Sequence, residues 1–296
     1  VNTQTKTLTA AREDYLLSCQ IEGKTKQTLG LYARVTGRFV SYVHEKAPEE
    51  ITAHDVRSYL ANLNCSTVTV NIHCRTLRAF LNFLVKNGYI ERNPMDTVPT
   101  PRVPRVFPYV LSEEEVAALL KVARSSERDY AVLLFLLDTG VRASELVGLS
   151  VDDLSLAARS ARVFGKGAKE RMVFFSDVTA RALARWLSVR EPAAFVDSLF
   201  VNRRGEVLTS SGVLQLVRRL GKRAGLEGKR VSPHTLRHTF ATLYVKEGGD
   251  AHSLQQMLGH TTTKMAEAYV NLVGRDLAEA HRRYSPVGRL ERQRRG

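Results

Sequence analysis

The segment YAVLLFLLD (130–138) is apolar on every side of a helix, and no other feature restricts the fold as much. A helix without a polar face has to be enclosed by other elements, so this one is expected to form the centre of a domain. Just ahead of it, Ser112 and Glu115 make a capping box before the apolar run VAALLKVA. ARVFGKGAKERMVFF (161–175) alternates as a strand, breaks at Gly165 and Gly167 and resumes as a strand, which predicts a hairpin with Lys166 near its turn. From Ser211 onward the helical period returns, near 211–224, 235–247, 251–258, 263–272 and 275–284.

The amino-terminal third is helical throughout. Apolar residues recur at three- and four-residue spacing and predict four helices near 10–22, 26–46, 53–63 and 67–87, with Thr9, Thr52 and Ser66 as N-caps and Gly88 as the last stop. VPTPRVPRVFP (98–108) holds four prolines and two arginines and cannot continue a helix, so it reads as an interdomain linker. Its arginines either touch phosphate or are simply solvated. The expected organisation is a helical domain over 1–97, a linker over 98–108, a mixed α/β domain over 109–286 and a basic tail over 287–296, whose residues RLERQRRG are too charged to pack. The fold class is therefore mainly α with a small β-sheet.

Lysines and arginines number 44 against 30 acidic residues, a formal net charge of +14. Such a field attracts polyanions, and duplex DNA is the commonest of them. Ribosomal and membrane-surface proteins are basic too, so charge alone leaves the partner open. Cys19, Cys65 and Cys74 are odd in number and form no C-x-x-C pair, which argues against a disulfide framework or a zinc knuckle and fits a reducing cytoplasm. No apolar run approaches the length of a membrane span, and no secretory signal pattern opens the chain.

The chemistry is carried by a series of residues in the second half: Arg142 in TGVRASEL, Lys166 in FGKGAKER, His234 and Arg237 in SPHTLRHTF, His260 in MLGH, and Tyr269 nine residues further on. Two guanidinium forks suit the charge that develops on the oxygens of a phosphate under attack. Arg142 follows Gly140 at an expected helix start, beside free backbone N–H groups. His234 and Arg237 are three residues apart and share a helix face, whereas His238 points to another face and is read as structural. A phenol needs nearby cations and a proton acceptor to become a nucleophile, and the imidazoles of His234 and His260 offer the latter. Lys166 on a flexible turn could protonate a leaving oxygen, although G-K-G is also a common solvated turn. Tyr244, among apolar neighbours, reads as a core residue, and Tyr284 lies too far beyond His260. No cofactor and no metal site are indicated.

These motifs, taken together, resemble those of the tyrosine recombinases, the phage integrase family, and within it the compact Xer-like and mobile-element enzymes; SPHTLRHTFAT is the most specific piece. The resemblance implies a four-helix, SAM-like core-binding domain followed by a catalytic domain, closing as a C-shaped clamp on double-stranded DNA. It implies that Arg142 and Arg237 bind the scissile phosphate and that Lys166 protonates the leaving 5' oxygen. It further implies that His234 and His260 assist, that Tyr269 forms a 3'-phosphotyrosyl bond, and that Glu145 supports the site. A homo-tetramer, or an assembly with a related recombinase, on two DNA sites is implied, with possible accessory DNA-bending proteins. The segment from 275 onward would either dock in a neighbouring protomer or touch DNA. The run KMAEAYVNL (264–272) departs from the Tyr-x-His pattern of Xer proteins, which favours a mobile-element integrase over dimer resolution of chromosomes or plasmids. A type IB topoisomerase and a non-catalytic DNA-binding regulator are the rival readings.

Overall fold

The computed structural model describes residues 7–44, 46–103, 108–165, 170–190 and 197–259, together with the single positions Tyr269, His281, Ser285 and Val287. The chain divides into two compact units, Val1–Val106 and Phe107–Gly296. The helices expected near 263–272 and 275–284 and the tail from 287 fall outside the described residues, those single positions excepted. Among the described residues no helix is long and apolar enough to cross a membrane.

The first unit contains α1 (Leu8–Ile21), α2 (Lys26–Tyr42), α3 (Ala53–Ala61) and α4 (Thr67–Lys86). Thr52 and Ser66 cap α3 and α4 as expected, each accepting from the backbone N–H three residues on. The cap of α1 is Thr7, not Thr9. The buried stripe Leu8, Ala11, Tyr15 and Cys19 starts one residue after Thr7, so Thr9 already lies in the first turn. Phe39, Leu77, Phe80, Leu81 and Leu84 form the centre of this unit's core. The proline-rich run starts out tied down. Val98 is buried with Met95, and Arg78 donates to the carbonyls of both and to the Thr100 hydroxyl, while Asn71 donates to the Pro101 carbonyl. The buried Val98 side chain and the bonds that α4 donates to backbone carbonyls hold the first part of the expected linker against α4.

The second unit is built around α6 (Glu127–Thr139), whose residues from Asp129 to Leu136 are all buried. It packs against α5 (Glu113–Ala123), α8 (Asp177–Val189) and α10 (Pro233–Lys246). The predicted capping box of Ser112 and Glu115 starts α5. Between α6 and α8 come the short α7 (Ala143–Val147) and a three-stranded antiparallel sheet in the order β1 (Leu154–Ser155), β2 (Ser160–Phe164), β3 (Glu170–Phe174). The pairing of β2 with β3 runs from Ser160 opposite Phe174 to Phe164 opposite Glu170. Then follow α9 (Ser210–Arg223), α10 and α11 (Ala251–Leu258). The pattern reading had no counterpart for α8 or β1. The buried stripe of α8, Thr179, Ala182, Leu183 and Trp186, has helical spacing and was passed over, and β1 is two residues long, too short for an alternation to show. The start of α8 is held by Asp138, the one acid in the apolar run, which accepts from the Ser176 N–H and from the hydroxyls of Ser176 and Thr179.

Candidate active site

Arg142 occupies the junction between α6 and α7. Gly140 ends α6 in the left-handed region at φ 62°, which turns the chain sharply enough for Arg142 to serve as N-cap of α7 two residues later. The Arg142 N–H is not free, as its place at the helix start suggested: Glu145, one turn on, accepts from it at 2.8 Å and from the Arg142 Nη1 at 2.7 Å. This is half of a capping box, and it sets the guanidinium and the helix start together.

Glu145 is 3% exposed and takes a second arginine. Arg171, on β3, donates from Nη1 and Nη2 to the two carboxylate oxygens, both at 2.9 Å, and from Nε to the Met257 carbonyl at the end of α11, also at 2.9 Å. Burial alone would push the Glu145 carboxyl upward. The hydrogen bonds from Arg171 and from the Arg142 amide, with the charge of Arg171 and the bond from the Arg142 guanidinium, reverse that and hold it below the usual carboxylate range.

Arg237 lies on α10 and is 5% exposed. Its Nη1 donates to the Gly140 carbonyl at 2.6 Å and its Nη2 to the Leu258 carbonyl at 2.7 Å. Burial lowers its pKa to about 10, with Arg142 and Arg171 adding to the effect and Glu145 and Tyr269 opposing it, so at neutral pH it keeps its proton. Arg142, Arg171 and Arg237 are thus three cations around one carboxylate. Such an excess of buried positive charge suits an anion.

Tyr269 is 3% exposed and packs with Phe240, Ala241, Val245, Leu254 and Leu258. Its hydroxyl and Nδ1 of His238 are hydrogen-bonded at 2.5 Å. Burial raises the phenol pKa and Arg237 pulls against it. For His238, burial and the neighbouring His234 and Arg237 lower the imidazole pKa, so the ring is neutral at neutral pH. His238 was expected to point away as a structural residue; instead it holds the candidate nucleophile. The physical reason is periodicity: residues three and four along a helix share a face, so His234 has both Arg237 and His238 beside it.

The structure therefore brings Arg142, Glu145, Arg237 and Tyr269 into one neighbourhood, with His234 exposed on the first turn of α10. Lys166 and His260 lie outside the described residues. Tyr244 packs against Phe240, as its apolar surroundings suggested. The residue that sequence reasoning missed outright is Arg171. A signal for it existed: along β3 it shares parity with the buried Val173, while Met172 and Phe174 face out. A charge at an inward position has to have a partner. Among the described residues no group of histidine, cysteine or acidic side chains is arranged to hold a metal.

Residues 109–274 match the phage integrase family, and residues 12–91 match the phage integrase N-terminal SAM-like domain. The chain belongs to the phage integrase family. Tyrosine recombinase XerD of Oceanobacillus iheyensis is 33% identical over 93% of this chain and 98% of its own length. Tyrosine recombinase XerD of Chlorobaculum tepidum is likewise 33% identical, over 96% and 97%. The crystal structure of XerA recombinase, 31% identical over 93% of this chain and 98% of its own, aligns with a TM-score of 0.55. As a tyrosine recombinase, the chain is an enzyme that breaks and rejoins DNA strands.

Proposed function

We propose that this tyrosine recombinase is site-specific and that it cuts and reseals duplex DNA through a 3'-phosphotyrosyl intermediate, with Tyr269 as nucleophile. The supporting observation is that Arg142 and Arg171, from α7 and β3, grip Glu145 while Arg237 of α10 lies within reach of their charges, with the Tyr269 phenol within the field of Arg237. Arg142 and Arg237 bind the scissile phosphate and stabilise the charge that builds on its non-bridging oxygens. The Tyr269 oxygen attacks phosphorus, its proton passing to an imidazole. His238 is hydrogen-bonded to it and neutral, and His234 and His260 belong to the same relay. The bond from phosphorus to the 5' oxygen breaks and that oxygen takes a proton from Lys166. One phosphodiester is exchanged for another, so neither water nor a nucleotide is consumed, and the 5'-hydroxyl of a partner strand reverses the step.

Exchange of both strands between two duplexes needs four such sites, hence a tetramer. The helical domain over 1–97 and the catalytic domain over 109–286 both contribute to the duplex interface. Two biological roles have specific support. The departure from Tyr-x-His at Tyr269 favours a mobile-element integrase. Likeness to XerD proteins along nearly their whole length favours dimer resolution.

The test is covalent capture. The full chain is incubated with a pool of nicked duplexes of randomised core, and DNA-linked protein is separated by denaturing electrophoresis and sequenced. A DNA-linked band is expected, with Tyr269→Phe removing it while leaving duplex binding within about twofold, since the hydroxyl adds nothing to phosphate contacts. An adduct formed by Tyr269→Phe would refute the nucleophile assignment. Recombination of captured sequences that match element ends, as against chromosomal resolution sites, separates the two roles.

A further inference from the structure

The hairpin that carries Lys166 in sequence, the helix start that carries Arg142 and the end of α11 just before His260 come from three separate stretches of chain. One side chain touches all three. Arg171 is anchored in β3, opposite Val163 of β2. Its two terminal nitrogens grip both oxygens of Glu145, which in turn holds the Arg142 backbone and guanidinium. Its Nε holds the Met257 carbonyl. Gly259, at φ 61° and next to His260, closes over it: a Cβ there would come within 3.2–3.3 Å of the Arg171 side chain.

We propose that Arg171 is a positioning residue for strand cleavage, a clamp that sets Arg142 through Glu145 and sets the chain before His260 through Met257, so that the hairpin and the phosphate-binding arginines move as one body. The inference rests on the recombinase reading above and adds a residue to it. Arg171 is 13% exposed on its side chain, and its Nε, Nη1 and Nη2 each donate to Met257 or Glu145; the role proposed for it is exerted through these two neighbours. A planar fork with two parallel donors is what the Glu145 carboxylate requires, and a lysine cannot reproduce it.

The experiment compares the full-length wild type with Arg171→Gln, Arg171→Lys and Glu145→Gln on one duplex captured by the wild type, measuring duplex binding and single-turnover cleavage from pH 5 to 9. Loss of the clamp displaces Arg142 without removing a phosphate contact. Arg171→Gln is therefore expected to bind normally and to cleave on the order of 100-fold more slowly at neutral pH, the penalty of misplacing a catalytic group by about an ångström. Arg171→Lys is expected to recover only part of that. The pH profile adds a signature that a general loss of stability would not produce. Glu145 faces Arg142, Arg171 and Arg237. With Arg171 neutralised, burial is opposed less, the carboxyl moves up, and cleavage by Arg171→Gln acquires an extra decline toward acid pH that the wild type lacks. Combining Arg171→Gln with Glu145→Gln should add little further loss, because both act along one path. If Arg171→Gln does not fold, Arg171→Lys decides, since it keeps the charge. Wild-type cleavage by either variant, or a parallel loss of binding and cleavage with an unchanged pH profile, would overturn the clamp. Absence of any adduct with the wild type would instead overturn the recombinase reading.

Discussion

Glu145 shows how much one buried side chain can carry. Its carboxylate is almost fully enclosed, and burial by itself works against the charged form. Two guanidiniums and a backbone amide keep it ionised. Because its folded pKa is depressed below the ordinary value of 4.5, the pairing stabilises the fold fully above that pH and is lost as the pH falls through the depressed value. Glu145→Gln should therefore lower stability at pH 7 by about 3 kcal/mol, the usual cost of leaving a buried charge without its partner. Thermal melts of both proteins at pH 7 and pH 4 check this: the gap should narrow in acid. A gap independent of pH would mean that the ionisation of Glu145 contributes nothing. A supporting role for it was only an expectation of the family resemblance, and its second partner was not foreseen, because strand parity marks Arg171 as inward-facing without saying what it meets.

At the level of elements, the site depends on how α6 ends. Gly140 adopts a left-handed φ and its carbonyl receives Arg237. A Cβ added there would lie 2.4 Å from Cδ1 of Phe240 and 2.7 Å from Cδ2 of Leu258. Gly140→Ala should thus cost at least about 2 kcal/mol, from the left-handed conformation and from overpacking together. It should also slow cleavage, since Phe240 neighbours both Arg237 and the Tyr269 cluster. Denaturant titration alongside single-turnover cleavage would show it; an unchanged midpoint would refute the tight packing between α6, α10 and α11. The all-round apolar run of α6 and the alternation of the two hairpin strands were legible because each is a local pattern with one physical solution. The two-residue β1 was not, because its stability comes from the strand it pairs with, whereas the helical spacing of Ala182, Leu183 and Trp186 in α8 was there to be read.

For the whole molecule the dominant quantity is charge. A net +14 predicts duplex affinity that falls steeply with salt, by about 10³-fold or more between 50 and 200 mM if six or more phosphates are contacted. Fluorescence anisotropy on a non-cognate duplex across that range would test it, and a shallow slope would mean that the excess cations do not face DNA. The order of residue types along the chain was enough to indicate family, chemistry and most elements, since helix period, caps and motif spacing are properties of neighbouring residues. Which side chains meet was decided only by the tertiary structure. That His238 rather than solvent holds the Tyr269 hydroxyl, and that Arg171 joins Glu145 to Met257, are contacts across 31, 26 and 86 positions of chain. No local pattern encodes such distances, because they exist only once separate elements have packed.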